Sequence, residues 1–282
     1  MPPPPPAHRR QTSEVYRLRR AIALTFALLG AVAVSQFVKA DENVGNQQAA
    51  PTTTESTTTT IAPPPACVEG DLQVLEDPNA NWATVLVDTQ RAIPASYGPP
   101  DLRNIADAGF PLTDGVALRE LVLADLDALR QAAAANGTPI GILAGYRSFS
   151  RQTDLFDRRV DELGAAEAGS RVARPGHSEH QLGTAVDVVT EGARDVDQAW
   201  GASLTGQWIA TNAFKYGFVI SYPPESQERS CYDYEPWHLR YVGRQLAADV
   251  IDSGLTLREY LWQLQPRPLA TTTTTTTVAP SP

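Results

Sequence analysis

Four residues in two separate stretches of the chain carry the side chains that a hydrolytic metal centre uses. His180 and Asp187 flank Gly183 within residues 176–187, GHSEHQLGTAVD, and Glu235 and His238 enclose Pro236 and Trp237. Two imidazoles and one carboxylate make three protein ligands. A catalytic zinc ion takes that number and keeps a fourth position open, whereas structural zinc closes all four. Such an ion lowers the pKa of bound water to about 7, and a nearby carboxylate accepts a proton as that water attacks a carbonyl. The residue types therefore predict His180, Asp187 and His238 as ligands of one zinc ion, with Glu235 as the base. In a regular strand, residues three apart point to opposite faces, so Glu235 and His238 reach one ion only where the backbone leaves the pleat. Pro236 favours such a departure.

Other side chains are candidates for supporting roles. Arg147 stands at the end of an expected strand and could hold a peptide carboxylate in a bidentate pair; Arg174 is the rival cation, closer in sequence to the histidines. His177 is open between a donor behind the ligands, a substrate contact, a loop histidine and a fourth ligand that would close the site. Trp237 reads as a packing residue that fixes its neighbours, and Tyr232 and Tyr234 as candidates to line a cleft. Cys67 and Cys231 are the only cysteines. Export of the domain would make them a disulfide bracing the segment before Glu235; free thiols, or Cys231 as a further zinc ligand, are the alternatives.

The elements that must position these residues follow from periodicity and breakers. Residues 81–88 (NWATVLVD) read as a short apolar strand, followed by a breaker-rich surface segment at 93–101. From Asp114 to Ala135, Leu118, Leu121, Val122, Leu126 and Leu129 recur at helical spacing, and Asn136-Gly137 closes the run. Residues 140–146 predict a buried strand, 151–163 a helix, 164–176 a loop or loose helix, and 184–189 a strand carrying Asp187. A helix over 205–216, strands over 217–222 and 237–242, and closing helices over 243–251 and 257–264 complete the domain. Strands and helices mix without βαβ regularity, which predicts an α+β fold with a mainly antiparallel central sheet flanked by helices.

Composition bounds the rest. The 282-residue chain has a net charge of −9, yet residues 1–40 hold six Lys/Arg and one acid, so the remainder carries −14. That argues against nucleic acid as a partner. Residues 1–20 read as a basic cytoplasmic N-terminus. Residues 21–38 lack any charge and form either a single-pass membrane anchor, with the C-terminal portion outside the cytoplasm, or a cleaved secretory signal ending at Ala40. Residues 39–65 read as a disordered Thr/Pro linker, 66–265 as the domain that carries the zinc site and 266–282 as a disordered Thr/Pro tail. The sequence sets no oligomeric state.

The pattern Ser178-x-His180-x-x-Gly183-x-Ala185-x-Asp187, followed by Glu235-Pro236-Trp237-His238, resembles the zinc D,D-carboxypeptidases of the VanY type. Tyr146-Arg147-Ser148 with Gln152 and the Ile93-Pro94, Tyr97 and Pro99-Pro100-Asp101-Leu102 segment resemble the same family, over about residues 83–250. The resemblance implies a fold shared with hedgehog signalling domains and lysostaphin-type peptidases, and a peptidoglycan stem peptide as substrate. It also implies zinc on His180, Asp187 and His238, Glu235 as base, and Arg147 on the substrate with Ser148, Gln152 and Ser178 in support. Removal of a C-terminal D-alanine is the expected reaction. L,D-carboxypeptidase or endopeptidase action on the same peptides, and a non-catalytic zinc-containing wall-binding module, are the alternatives.

Overall fold

The computed structural model of the chain describes residues 63–74, 76–110 and 115–265. The expected N-terminus (1–20), anchor or signal segment (21–38), most of the linker (39–65) and the tail (266–282) lie outside the described residues. Among the described residues no helix is long and apolar enough to cross a membrane.

In chain order, Leu72–Gln73 (β1) pairs in parallel with Arg91–Ala92 (β2), and Leu102–Asn104 (β3) pairs antiparallel with Ala117–Arg119 (β4). Glu120–Ala135 (α1) follows directly, and its Val122, Leu126, Leu129 and Ala133 form one buried stripe. Asn136 caps the helix, and Gly137 supplies the left-handed turn at φ 77° that reverses the chain. Ile140–Ala144 (β5) leads to Phe149–Leu163 (α2), whose N-terminus is capped by Ser148, and to the short Ala165–Arg171 (α3). Ala185–Thr190 (β6), Leu204–Asn212 (α4), Phe218–Ile220 (β7), Gln227–Ser230 (α5) and His238–Tyr241 (β8) come next. Arg244–Ser253 (α6) and Leu257–Leu264 (α7) close the domain.

The main sheet has the order β5-β6-β8-β7, with every pair antiparallel. Strand alternation decides what each face does. Val186 and Val188 of β6 and Leu239 and Tyr241 of β8 pack with Val122, Leu126 and Leu129 of α1 in the largest core cluster. Fully burying side chains of this size stabilises by about 1.5–3 kcal/mol each. The intervening residues, Asp187 of β6 and His238 and Arg240 of β8, turn to the other face. Covered on both sides, β6 is buried from Ala185 to Val189. A second cluster packs Val219 of β7 and Leu86 against Ala247 and Val250 of α6 and Leu257 and Leu261 of α7. Cys67 and Cys231 form a disulfide across 164 residues.

Two expected elements differ. Residues 81–88 form no strand: the chain turns through 78–84 and then runs extended without a ladder partner. Its alternation is real, with Leu86 entering the second cluster while Val85 and Val87 pack with Ile93 and Leu182. The helix expected from Asp114 starts at Glu120, because Ala117–Arg119 pairs with β3. Asp114 itself lies outside the described residues. Leu118 matched the helical spacing, yet it is buried from a strand. The remaining helices and strands begin and end within a few residues of their expected positions, except that the helix expected to run to Tyr216 gives way to a 3-10 turn after Asn212.

Candidate metal centre and active site

Asp187 and His238 are direct cross-strand partners, so one register brings a carboxylate and an imidazole together on the face away from α1. His180 arrives from a short 3-10 turn, Glu179–Leu182, just before β6. Ser178 caps this turn by accepting from the His180 N–H at 3.3 Å, and Gly183 ends it at φ 71°. A side chain at Gly183 would also press on Pro99 and Arg119, each about 3.0 Å from where a Cβ would sit. The glycine between the ligands is therefore required by both backbone conformation and space.

Asp187 Oδ1 lies 3.3 Å from His180 Nε2 and 3.1 Å from His238 Nδ1. Ligand atoms of the three residues all lie within 4.8 Å of one another, and all three side chains are buried. The far ring nitrogens are engaged as metal-binding imidazoles require. His180 Nδ1 is 2.7 Å from the Gly145 carbonyl, and His238 Nε2 is 3.0 Å from Glu179 Oε2. Each acceptor holds a proton on the remote nitrogen, so the near nitrogen, directed at Asp187, is the one that a metal would take in exchange for its proton. This donor set fits a divalent ion such as zinc, with three protein ligands and room for a fourth.

Glu235 sits beside the trio, its Oε2 3.9 Å from His238 Nδ1. The two residues reach the same point because the backbone turns: the His238 N–H donates to the Glu235 carbonyl at 3.2 Å across Pro236 and Trp237. Arg147 is tied through its N–H to the His180 carbonyl at 3.1 Å, and its Nη1 donates to Gln152 Oε1 at 2.9 Å. Gln152 in turn donates to the Ala173 carbonyl at 2.6 Å. These side chains line a cavity of about 210 Å³ together with Ser178, Tyr222, Tyr232 and Trp237. Tyr222 stacks on the His238 ring at 4.9 Å.

Burial and charge compete throughout this site. Burial pushes Asp187 up, but His180 and His238 hold its carboxyl well below the usual range. Burial pushes His238 down, and its bonds to Asp187 and Glu179 outweigh that, raising it to about 10. Burial lowers His180 and also Arg147, which the Asp187 and Glu235 carboxylates oppose. Glu235 is pushed up to about 8, first by burial and then by Asp187, against the pull of His238 and Arg147.

Several expected candidates sit elsewhere. Arg174 turns away to Asp71 at 3.0 Å and to the Gly70 carbonyl at 2.7 Å. His177 bonds the Asp88 carbonyl at 2.7 Å and Asp71 at 3.3 Å, outside the ligand group. Cys231 is committed to the disulfide and has no thiolate to offer a metal. Ser148 is not among the cavity-lining residues; its hydroxyl caps α2, the helix that carries Gln152.

Glu179, Arg240 and Ser221 were not expected. Glu179 accepts from Ser221 Oγ at 2.6 Å, from Arg240 Nη1 at 3.1 Å and from His238, and Arg240 is wholly buried. Glu179 stands within the histidine segment, but nothing in the sequence marks it as the buried partner of an arginine 61 residues away. An arginine at an otherwise apolar strand position was the available signal.

Residues 115–244 match the family model for VanY, D-alanyl-D-alanine carboxypeptidase. YodJ of Bacillus subtilis (strain 168) is 39% identical over 193 residues, which span 67% of this chain and 70% of that one. The chain belongs to the VanY family. Another family relative, a D-alanyl-D-alanine carboxypeptidase of Enterococcus faecalis, is 34% identical over 64% of this chain and 66% of that one. Among solved structures, the LdcB LD-carboxypeptidase superposes with a TM-score of 0.58 at 39% identity, covering 62% of this chain and 83% of that one. The vancomycin resistance D,D-pentapeptidase VanY, solved in complex with Zn(II), superposes with a TM-score of 0.55 at 33% identity, covering 64% and 99%.

Proposed function

We propose that this chain is an exported zinc carboxypeptidase that releases the C-terminal D-alanine of peptidoglycan stem peptides. The observation that carries the proposal is the convergence of His180 Nε2, Asp187 Oδ1 and His238 Nδ1 beside Glu235 in one cleft, within a chain of the VanY family. His180, Asp187 and His238 would hold the ion, which supplies Lewis acidity that acidifies water and polarises the scissile carbonyl.

Glu235 takes a proton from the attacking water and delivers it to the leaving amine. Burial raises the Glu235 carboxyl, which makes its carboxylate a stronger base than one in water. Arg147, oriented by Gln152, pairs with the peptide carboxylate or the developing oxyanion, and Ser178 offers a hydroxyl beside it. Ser148 contributes through the helix it caps. Glu235→Gln should reduce D-alanine release by at least ~100-fold while the protein still binds zinc. Unchanged turnover would remove Glu235 from the chemistry.

The likeness to the LdcB LD-carboxypeptidase favours a second reading, cleavage of the L,D bond of a tetrapeptide. Defined pentapeptide, tetrapeptide and crosslinked peptides assayed side by side separate the two. Shortening of the tetrapeptide alone would replace the D,D assignment.

The uncharged stretch at 21–38 and the disulfide between Cys67 and Cys231 support export, and the Thr/Pro linker would give the peptidase domain reach. A retained anchor places the full-length chain in a membrane pellet. A soluble product starting at Asp41 would show signal cleavage instead.

A further inference from the structure

Arg147 and Leu155 line two cavities, the one at the metal centre and another of about 470 Å³. The second lies along β5, an edge strand of the main sheet. Strand β5 and the turn after it form one wall, residues 115–116 another and α2 a third. The Tyr146 N–H donates to the Ala117 carbonyl at 2.7 Å, which ties the first two walls together, and Ser148 caps α2 at the same turn. Arg151, Leu155 and Arg158 follow at spacings of four and three, so they share one face of α2.

The charge of this cavity runs against that of the chain. Residues 41–282 carry a net −14, yet among the described residues three guanidiniums and no carboxylate line the cavity, those of Arg147, Arg151 and Arg158. The next arginine on α2, Arg159, pairs with Glu162 at 2.7 Å, whereas the side chains of Arg151 and Arg158 make no hydrogen bond or ion pair among the described residues. Burial disfavours the Arg147 charge, and the like charge of Arg151 adds to that against the pull of Asp187 and Glu235. An anion between Arg147 and Arg151 would relieve this repulsion.

The shape narrows the anion. A carboxylate has two oxygens in one plane and is satisfied by one guanidinium in a bidentate pair, whereas a phosphate ester directs three oxygens outward and pairs with guanidiniums from two elements at once. Leu143, 39% exposed, and Leu155 give the cavity an apolar floor on which an organic body can rest. Arg158 stands two turns, about 10 Å, further along α2 and attracts the anion from the outer end. We propose that this cavity binds a phosphate monoester, its phosphate between Arg147 and Arg151 and its organic part on Leu143 and Leu155. Because Arg147 lines both cavities, the bound phosphate competes with the peptide for that guanidinium. The competition rests on the carboxypeptidase reading; the binding does not.

The probe is phenyl phosphate, titrated by calorimetry at constant ionic strength into the full chain, zinc-loaded and again after chelation, with benzoate and inorganic phosphate alongside. Affinity should be the same with and without zinc, and about tenfold higher than for benzoate or inorganic phosphate. Arg151→Gln should weaken phenyl phosphate about tenfold and Arg158→Gln about threefold; both side chains are exposed, so either variant serves if the other fails to fold. Leu143→Ala should narrow the gap between phenyl phosphate and inorganic phosphate. Loss of binding on chelation would mean that phosphate sits on the metal, and equal binding of benzoate, or affinity unchanged in both arginine variants, would likewise overturn the site. In the D-alanine release assay phenyl phosphate should raise KM without lowering kcat, and Arg151→Gln should turn over normally and lose this inhibition. An unchanged KM at saturating phenyl phosphate would overturn the competition. Absence of D-alanine release from the unsubstituted chain sinks the carboxypeptidase reading instead and leaves calorimetry to decide the site.

Discussion

Replacing Glu179 by Gln tests whether the metal centre depends on the charge behind it. The Glu179 carboxylate accepts from Ser221, His238 and Arg240, and the Arg240 guanidinium is wholly buried. Glutamine keeps the shape and one acceptor oxygen but removes the charge. With that oxygen turned to Arg240, the guanidinium keeps a neutral acceptor and the Trp82 carbonyl at 2.8 Å but loses its counter-charge, and its Nε has no partner among the described residues. Breaking a buried ion pair from one side costs about 3–5 kcal/mol. Titration gives a similar magnitude. Burial pushes the Glu179 carboxyl up, but His238 and Arg240 bring it from 4.5 to about 2, which corresponds to about 3 kcal/mol at neutral pH. Because the folded pKa is the lower one, this stability is complete above pH 4.5 and is lost as pH falls towards 2. The gap between the two proteins should therefore be full at pH 7 and narrow in acid. A second effect falls on the metal. The amide NH2 then faces His238 Nε2 and cannot accept from it, so the tautomer that keeps the proton on Nε2 and frees Nδ1 for a metal is disfavoured, and zinc affinity should drop by about 10–100-fold. Urea unfolding of the metal-free proteins at several pH values reads the first effect, and chelator competition reads the second. A stability loss below about 1 kcal/mol with zinc affinity within about twofold would refute the argument.

Two further predictions follow from the same geometry. In the metal-free protein His238 titrates near 10, above its ordinary 6.5, so its stabilising contribution is complete below pH 6.5 and is lost as pH rises through 10. Zinc must displace that proton at neutral pH, and calorimetry in buffers of different ionisation heat should detect about one proton released per ion bound; none would contradict the assignment of His238 as a ligand. Replacing both Cys67 and Cys231 by Ser opens a loop of 164 residues and should cost on the order of 5 kcal/mol, seen as a lower melting temperature that reductant no longer changes. Equal melting of both proteins would mean that the bridge constrains nothing.

Much of the architecture was legible because burial imposes a period. The α1 stripe read correctly from apolar spacing, and β6 and the closing helices stand within a few residues of their expected positions, although β6 is buried throughout rather than on alternate residues. The failures have a common physical cause. Residues 85–87 alternate as a strand does, but hydrogen-bonded pairing depends on a neighbour that local sequence does not specify. Leu118 fits a helix and a strand equally well, and the pairing of β4 with β3 chose between them. Residues three apart at Glu235 and His238 were incompatible with a pleat, and the observed turn resolves the conflict.

The sequence by itself determined which side chains are available for metal chemistry, since imidazole and carboxylate donors are needed whatever fold presents them. It also supplied Gly183, whose conformation and tight surroundings exclude a side chain. Tertiary structure decided which candidates meet. It directed Arg147 rather than Arg174 into the cleft, took His177 and Cys231 out of the ligand set, and put Glu179 and the Gly145 carbonyl behind the two histidines. Those choices rest on strand register and on hydrogen bonds between residues 35 to 106 apart in the chain, and contacts at that range leave no periodic trace in the sequence.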